Sequence, residues 1–80
     1  MVIQILAFGI AKEILGGSKV ALEVDDFLDV NGLKAHLNKA YPALNDLKSY
    51  LIAVNNVYAL PAQSLHSNDE IAIIPPVSGG

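Results

Sequence analysis

Apolar residues concentrate at the two ends of the chain. The run from Val2 to Phe8 is apolar except for Gln4, and Glu70 to Ile74 ends in four consecutive apolar residues. Short continuous apolar runs are typical of strands inside a sheet, covered on both faces or flanked by strands on both sides. Both runs are therefore predicted to be central strands.

Three further β segments lie between these runs. Lys19 to Val24 alternates, with Val20, Leu22 and Val24 directed inward, as in a half-buried antiparallel strand. Tyr50 to Val54 and Val57 to Leu60 are short β-rich segments on either side of Asn55-Asn56, which is a turn signal. The last two segments are predicted to form a hairpin.

The main helix is predicted from Val30 to Tyr41. Its apolar positions repeat at helical spacing: Val30, Leu33, Leu37 and Ala40. Asp29 is a suitable N-cap, and Tyr41-Pro42 ends the helix because a residue before proline avoids helical backbone angles. Pro42 to Ser49 then forms a loop with a helical turn around Leu44 and Leu47, and Pro61 to Asn68 is a connector.

A shorter helical segment is predicted from Ile10 to Leu15, and Gly16-Gly17 ends it. Ile10, Ile14 and Leu15 are expected to share one face of it. The element order indicates an α+β fold, a β-grasp (ubiquitin-like) mixed sheet with one main helix packed across it. The end strands should be adjacent and parallel. A ferredoxin-like split βαβ fold is the structural rival, but it needs a second long helix that this sequence lacks.

The β-grasp domain is predicted to span residues 1–74, with residues 75–80 as an extended, flexible tail. A single helix covers one face of such a sheet. The other face is expected to expose an apolar patch, with Phe8 as a member, which suits contact with a partner protein.

Composition excludes several functions. The 80 residues include no cysteine, which rules out thiolate catalysis and cysteine-ligated metals, and His36 and His66 have no partners at ligand spacing, so no metal site is predicted. Five lysines stand against eight carboxylates in the composition, and the lysines form no basic stripe that could bind nucleic acid.

The first eight residues lack a basic region and are too short to span a bilayer, which favours a cytoplasmic protein. No internal residue set forms an active site, so the chain alone is predicted not to be an enzyme.

The remaining chemistry lies in the tail, Pro75-Pro76-Val77-Ser78-Gly79-Gly80. Two glycines without side chains can thread a narrow channel and present an unhindered acyl carbon. The prolines fix φ and hold the root of the tail extended. Six extended residues reach about 20 Å, enough to enter the active site of another protein. The Gly80 carboxylate is therefore the predicted reactive group.

The sequence resembles the MoaD family, the small, sulfur-carrying subunits of molybdopterin synthase, over essentially its whole length. The pieces that match are Phe8 with Lys12-Glu13, Val30 and Leu33, Tyr41-Pro42, Ala53-Val54-Asn55, Asp69-Glu70-Ile71-Ala72 and the tail. Asn68 stands where the family usually has glycine, and Lys12 where an arginine is common. Neither departure touches the tail.

The resemblance implies that a ubiquitin-activating-type adenylyltransferase adenylates Gly80 with ATP, and that Gly80 then becomes a thiocarboxylate. The tail, through Pro75, Pro76, Val77, Ser78 and Gly79, would enter the large subunit of molybdopterin synthase, where the sulfur builds the dithiolene. Two carriers would flank a dimer of large subunits, with Phe8 as a candidate contact. No cofactor belongs to the isolated domain, since ATP is used by the activating enzyme.

Three alternatives stay open at this point. The chain could carry sulfur for another pathway, such as the thiazole of thiamine. It could be a protein modifier conjugated to lysines through Gly80, or an interaction module with an inert tail.

Overall fold

The computed structural model describes residues 1–47 and 50–75. Its strands and helices follow in the order β1 (Val2–Ala7), α1 (Ile10–Leu15), β2 (Lys19–Glu23), α2 (Val30–Ala40), a 3₁₀ helix (Pro42–Asp46), β3 (Leu51–Val54), β4 (Val57–Tyr58) and β5 (Glu70–Ile74). The strands form one sheet in the order β2-β1-β5-β3-β4. β1 and β5 pair in parallel, and the other neighbours are antiparallel. The predicted β-grasp architecture is confirmed.

The core lies between α2 and one face of the sheet. Val30, Leu33 and Leu37 of α2 belong to the same buried cluster as alternate residues of the three inner strands: Ile3, Ile5, Ala7, Ile52, Val54, Ile71 and Ile73. Val20 and Leu22 of β2 pack partly buried against this cluster, as their alternation predicts. The hydrophobic effect is thus concentrated on one side of the sheet.

The structure refines two expectations about burial. The apolar end strands were expected to be covered on both faces or flanked by strands on both sides, and β1 is flanked on both sides. It is not covered on both faces, because its side chains alternate between buried and accessible. In α1 the buried face is formed by Ala11 and Leu15, with Ile14 partly buried, while Ile10 is 45% exposed. The short α1 lies so close to the body that the small Ala11 occupies the innermost position.

Smaller differences concern the ends of elements. The hairpin strand β4 stops at Tyr58 rather than Leu60, and α2 ends at Ala40, which is exposed, with Tyr41 as its C-cap. The predicted helical turn after Pro42 is confirmed as the 3₁₀ helix, which buries Leu44. No helix in residues 1–47 and 50–75 is long and apolar enough to cross a membrane.

The start of α2 is held by both its cap and the connector after β4. The Asp29 carboxylate accepts a hydrogen bond from the Gly32 backbone N–H at 2.7 Å. The N–H groups of Val30 and Asn31 donate to the Gln63 and Pro61 carbonyls. The first N–H groups of a helix lack partners inside it, so these three bonds satisfy donors that would otherwise need water.

Asn55 ties the β3–β4 turn to the start of β5. Asn55 and Asn56 both have positive φ, the backbone that a tight hairpin turn between right-twisted strands requires. The Asn55 amide donates to the Asp69 carboxylate at 3.0 Å and accepts from the Glu70 N–H at 2.9 Å. The other Asp69 oxygen accepts from the His66 N–H at 2.8 Å. The turn and the strand entry therefore stabilise one another.

These bonds predict how Asp69 affects stability. Partial burial acts to raise the pKa of Asp69, but the hydrogen bonds from Asn55 and His66 outweigh it and the pKa lies below its usual value. Because the folded state prefers the charged form, its contribution is present above the ordinary aspartate pKa of about 3.9. It is lost as the pH falls through the lower pKa of the folded state. Asp69→Asn should lower the unfolding free energy at neutral pH by about 1 kcal/mol.

Urea unfolding of wild type and Asp69→Asn from neutral to acid pH measures this effect. The two curves should converge as the pH falls, because the wild type loses the contribution that the variant already lacks. Asp46→Asn, at an exposed carboxylate of the 3₁₀ helix, is the matched control and should leave stability nearly unchanged. Parallel wild-type and Asp69→Asn curves would contradict the assignment.

A pair of variants separates the two roles of Asn55. Asn55→Gly keeps the positive φ without strain but removes the side-chain bonds, and should cost about 1 kcal/mol in unfolding free energy. Asn55→Ala loses the same bonds and keeps a Cβ in the left-handed region without the polar side chain that lets asparagine tolerate it, so it should be about 1 kcal/mol less stable than Asn55→Gly. Thermal unfolding of both variants tests this order. Equal stability of the two variants would show that the backbone geometry contributes nothing.

Candidate functional site

The face of the sheet opposite α2 is the candidate functional surface. In β1 the residues facing away from the core are Val2, Gln4 and Leu6, and Phe8 follows the strand. Phe8 is 52% exposed. The predicted apolar patch is therefore present on this face, with Phe8 in it.

A shallow groove runs across this face. Strand register puts Leu6 beside Ala72, Ala72 beside Ala53, and Ala53 beside Tyr58, in one row over four strands. The two alanines are small, while Leu6 and Tyr58 stand on either side of them. The result is an open concavity of about 340 Å³, which we call the open-face groove.

The two ends of the open-face groove differ in chemistry. Phe8 and Ile74 line the end at which β5 finishes, and Asn56 and Glu70 line the end at which it begins. The first end is apolar and the second is polar. A partner that fills this groove would bury apolar side chains near the end of β5 and meet hydrogen-bonding groups at its start.

The root of the tail lies at the apolar end. Gly9, which follows Phe8, has φ 56° and ψ −131°, a conformation suited to glycine. A Cβ on Gly9 would lie 3.5 Å from Cγ of Pro75, so the two residues pack against each other. Phe8 and Pro75, two of the predicted site residues, are thus brought to the same end of the sheet.

The other predicted site residues, Pro76, Val77, Ser78, Gly79 and Gly80, lie outside the described residues. β5 ends at Ile74, and Pro75 is the last described residue. The candidate site therefore consists of the open-face groove and the tail root beside it.

The histidines have no role at this surface. His36 is exposed on α2, and the His66 side chain is 72% exposed, with Nδ1 3.5 Å from the Asp69 carboxylate. In the described ranges no three His, Asp or Glu side chains gather in a group that could hold a metal ion. Asp26, one of the loop carboxylates, accepts a hydrogen bond from the amino group of Met1 at 2.9 Å.

Sequence reasoning found Phe8 but missed most of the groove. Leu6 and Ile74 lie in strands that are apolar at nearly every position, so the sequence pattern does not show which of their residues face away from the core. Tyr58 had no assigned role. The groove could have been found from the alternation of side chains along a strand. Because one helix covers a single face of the sheet, every second residue of the inner strands is left uncovered.

Asn68 is accommodated without strain. Among the described non-glycine residues, only Asn55 and Asn56 have positive φ. Asn68 therefore does not use the left-handed backbone that glycine would permit, and this departure from the MoaD pattern needs no special compensation.

Sequence comparison places the chain among known proteins. The model of the ThiS family matches residues 5–80. The chain is 36% identical, over 83 aligned residues and all of both chains, to the molybdopterin synthase sulfur carrier subunit of Chlamydomonas reinhardtii. It is 35% identical over 81 residues to that of Haemophilus influenzae, covering 98% of this chain and 99% of the relative.

Solved structures agree with the sequence matches. The chain superposes on SAMP1 from Haloferax volcanii with a TM-score of 0.81 and 27% identity, over all of both chains. It superposes with a TM-score of 0.69 and 25% identity, also over all of both chains, on a chain from the complex of subunits 1 and 2 of molybdopterin-converting factor from Helicobacter pylori.

These matches bear on the resemblance read from the sequence. They extend over the full chain rather than over an isolated motif, and the matched family model runs to residue 80. The chain therefore belongs to the ThiS family, and its resemblance to the MoaD small subunits of molybdopterin synthase is confirmed.

Proposed function

We propose that this chain is a cytoplasmic sulfur carrier for molybdenum cofactor synthesis, with Gly80 as its reactive residue. The observation that carries the proposal is the full-length likeness to relatives named molybdopterin synthase sulfur carrier subunits. The open-face groove beside the tail root supports it, because a carrier needs a surface for a partner next to its reactive end.

The proposed chemistry has two steps at Gly80. The carboxylate attacks the α-phosphorus of ATP in the activating enzyme, releasing pyrophosphate and forming an acyl-adenylate. Sulfur at the oxidation level of hydrosulfide (HS⁻) then attacks the acyl carbon, AMP leaves with the bonding electron pair, and a thiocarboxylate results. Activation is needed because a free carboxylate is a poor acyl donor. The carrier supplies the acyl group, and the partner enzymes supply the catalytic residues and ATP.

The proposed partner of the open-face groove is the large subunit of molybdopterin synthase. The relative from Helicobacter pylori was solved in a complex of subunits 1 and 2 of molybdopterin-converting factor, which supports a second subunit as the partner. With Phe8 and Ile74 at the apolar end of the groove and Pro75 next to Gly9, the tail would leave from the contact surface itself. Pro75, Pro76, Val77, Ser78 and Gly79 would then occupy the partner's channel. Two carriers and two large subunits would form the assembly.

A second candidate function is that of a protein modifier. The observation in its favour is the likeness to SAMP1, since a related solved structure expands that name as small archaeal modifier protein 1. Both functions begin with activation of Gly80 and diverge afterwards. If the chain is a sulfur carrier, the intact mass of the protein isolated from cells should show that one carboxylate oxygen has been replaced by sulfur. If it is a modifier, a blot of the cell lysate should show a ladder of adducts.

The contact surface is tested by Phe8→Lys. Phe8 is half exposed, so the change should alter the unfolding free energy by less than about 1 kcal/mol. A charge placed at the apolar end of the groove should weaken binding to the large subunit by about tenfold or more. Calorimetric titration of the large subunit measures the change.

Phe27→Lys is the matched control for this variant. Phe27 is 98% exposed in the loop between β2 and α2, away from the open-face groove, and the charge change is the same. It should bind like wild type. Equal weakening by both variants, or unfolding of Phe8→Lys, would contradict the assigned role of Phe8.

Deletion of Gly80 tests the reactive group. The truncated chain should retain its fold and stability, because a terminal residue beyond the core contributes little to either. It should lose ATP-dependent activation and molybdopterin formation, since its terminal carboxylate, now on Gly79, would end about 3.3 Å short of the position at which Gly80 is adenylated. Pyrophosphate exchange with the activating enzyme and cofactor synthesis in a reconstituted system are the measurements. A truncated chain that still supports cofactor synthesis would refute the carrier function.

Gly79→Ala and bulkier variants should reduce activity in order of side-chain size. An added Cβ widens the tail and restricts φ where it must enter a narrow channel. Gly17→Ala is the control, because its Cβ would meet its nearest neighbour, the Lys19 carbonyl oxygen, at 3.9 Å, an ordinary contact. Similar activity of all Gly79 variants would show that the channel is not narrow at this position.

A further inference from the structure

The outer side of β2 is a sheet edge. β2 is the first strand in the sheet order, and within the described residues its only strand neighbour is β1. An uncovered edge presents backbone N–H and C=O groups that can pair with another strand. This edge lies apart from the open-face groove, which is lined by residues of β1, β3, β4 and β5 and of the β3–β4 turn.

Hydrogen bonds at both ends of the β1–β2 pair identify the outward groups. Met1 and Val24 exchange two bonds, of 2.7 and 2.8 Å, and at the other end the Ala7 N–H donates to the Ser18 carbonyl at 3.0 Å. Bonded pairs alternate along an antiparallel ladder, so Val20 and Leu22 also bond inward. The N–H and C=O groups of Lys19, Ala21 and Glu23 therefore point away from the sheet.

The side chains along this edge are self-complementary. Lys19 and Glu23 stand two residues on either side of Ala21, with opposite charges, and both are exposed on the same face of the sheet as Leu6. Val20 and Leu22 stand one residue on either side of Ala21 and are both apolar. If a second β2 runs antiparallel with Ala21 opposite Ala21, every Lys19 faces a Glu23 and every Val20 faces a Leu22.

We propose that two copies of this chain associate through antiparallel pairing of their β2 edges, about a two-fold axis at Ala21. The outward groups of Lys19, Ala21 and Glu23 would form the new ladder, and the two five-stranded sheets would become one continuous sheet. A two-fold axis repeats each contact, so both Lys19–Glu23 pairs form together. Opposite charges directly across an antiparallel pair are attractive.

A second copy suits the edge better than an unrelated strand. When β2 pairs antiparallel with another β2, each positive Lys19 lies opposite a negative Glu23. One short strand buries little area, so the association should be weak and reversible. It should also weaken as salt rises, because both ion pairs are exposed. The open-face groove and Pro75 remain accessible, since β1 separates β5 from the paired edge.

Charge reversal with rescue tests the proposal. Sedimentation equilibrium of the full chain, from micromolar to millimolar concentration at low salt, should show a monomer–dimer equilibrium. Lys19→Glu turns both attractive pairs into repulsive ones and should raise the dissociation constant by about tenfold or more, as should Glu23→Lys. The double variant Lys19→Glu/Glu23→Lys restores opposite charges and should dimerise like wild type. Lys39→Glu, an exposed lysine on α2, is the control and should have no effect.

The backbone ladder is tested separately. Amide hydrogen exchange of Lys19, Ala21 and Glu23 should slow as concentration rises, whereas that of Val20 and Leu22 should stay constant. Ala21→Pro removes an outward N–H without removing a bond to β1, and proline is tolerated on edges, so it should abolish the dimer while the chain stays folded. A monomer at all concentrations, a dimer without rescue by the double variant, or a dimer lost in Phe8→Lys but kept in Lys19→Glu would overturn the proposal.

Discussion

One helix of eleven residues has to cover a sheet of five strands, and it covers a single face. The core is made from that face alone, with α2 supplying three buried side chains. A chain of this size has little material for a second layer, because small domains bury a limited share of their surface. The opposite face therefore stays open within the described part of the chain. The open-face groove is left uncovered because the described chain has no second layer of structure on this face of the sheet.

Parallel pairing of β1 and β5 determines which residues meet at the groove's apolar end. Parallel strands finish at the same edge of a sheet, so Phe8, Gly9 and Pro75 come together although they lie at opposite ends of the chain. The connection needs a crossover, and the segment containing α2 provides it. The same topology that completes the core thus places the tail root beside an apolar surface.

The polar side chains that form hydrogen bonds in the domain mostly bond to backbone groups or hold turns in place. Asp29 caps α2, while Asn55 and Asp69 join the β3–β4 turn to the entry of β5. Neither histidine reaches the open-face groove. The side chains of Asp29, Asn55 and Asp69 do not line the open-face groove either. Lys19 and Glu23 are exposed on the edge of β2, and their arrangement along the strand makes that edge self-complementary.

The order of elements, the cap at Asp29 and the turn at Asn55-Asn56 could be predicted from the sequence, because each depends on local backbone preference or periodicity. The parallel end strands and the MoaD resemblance could also be predicted. Most of the groove could not. When both alternate positions of a strand are apolar, as in β1 and β5, the pattern does not distinguish the covered face from the open one. Only the position of α2 decides that Leu6 is on the open side and Ile5 in the core, and only packing decides that Ala11 rather than Ile10 is buried.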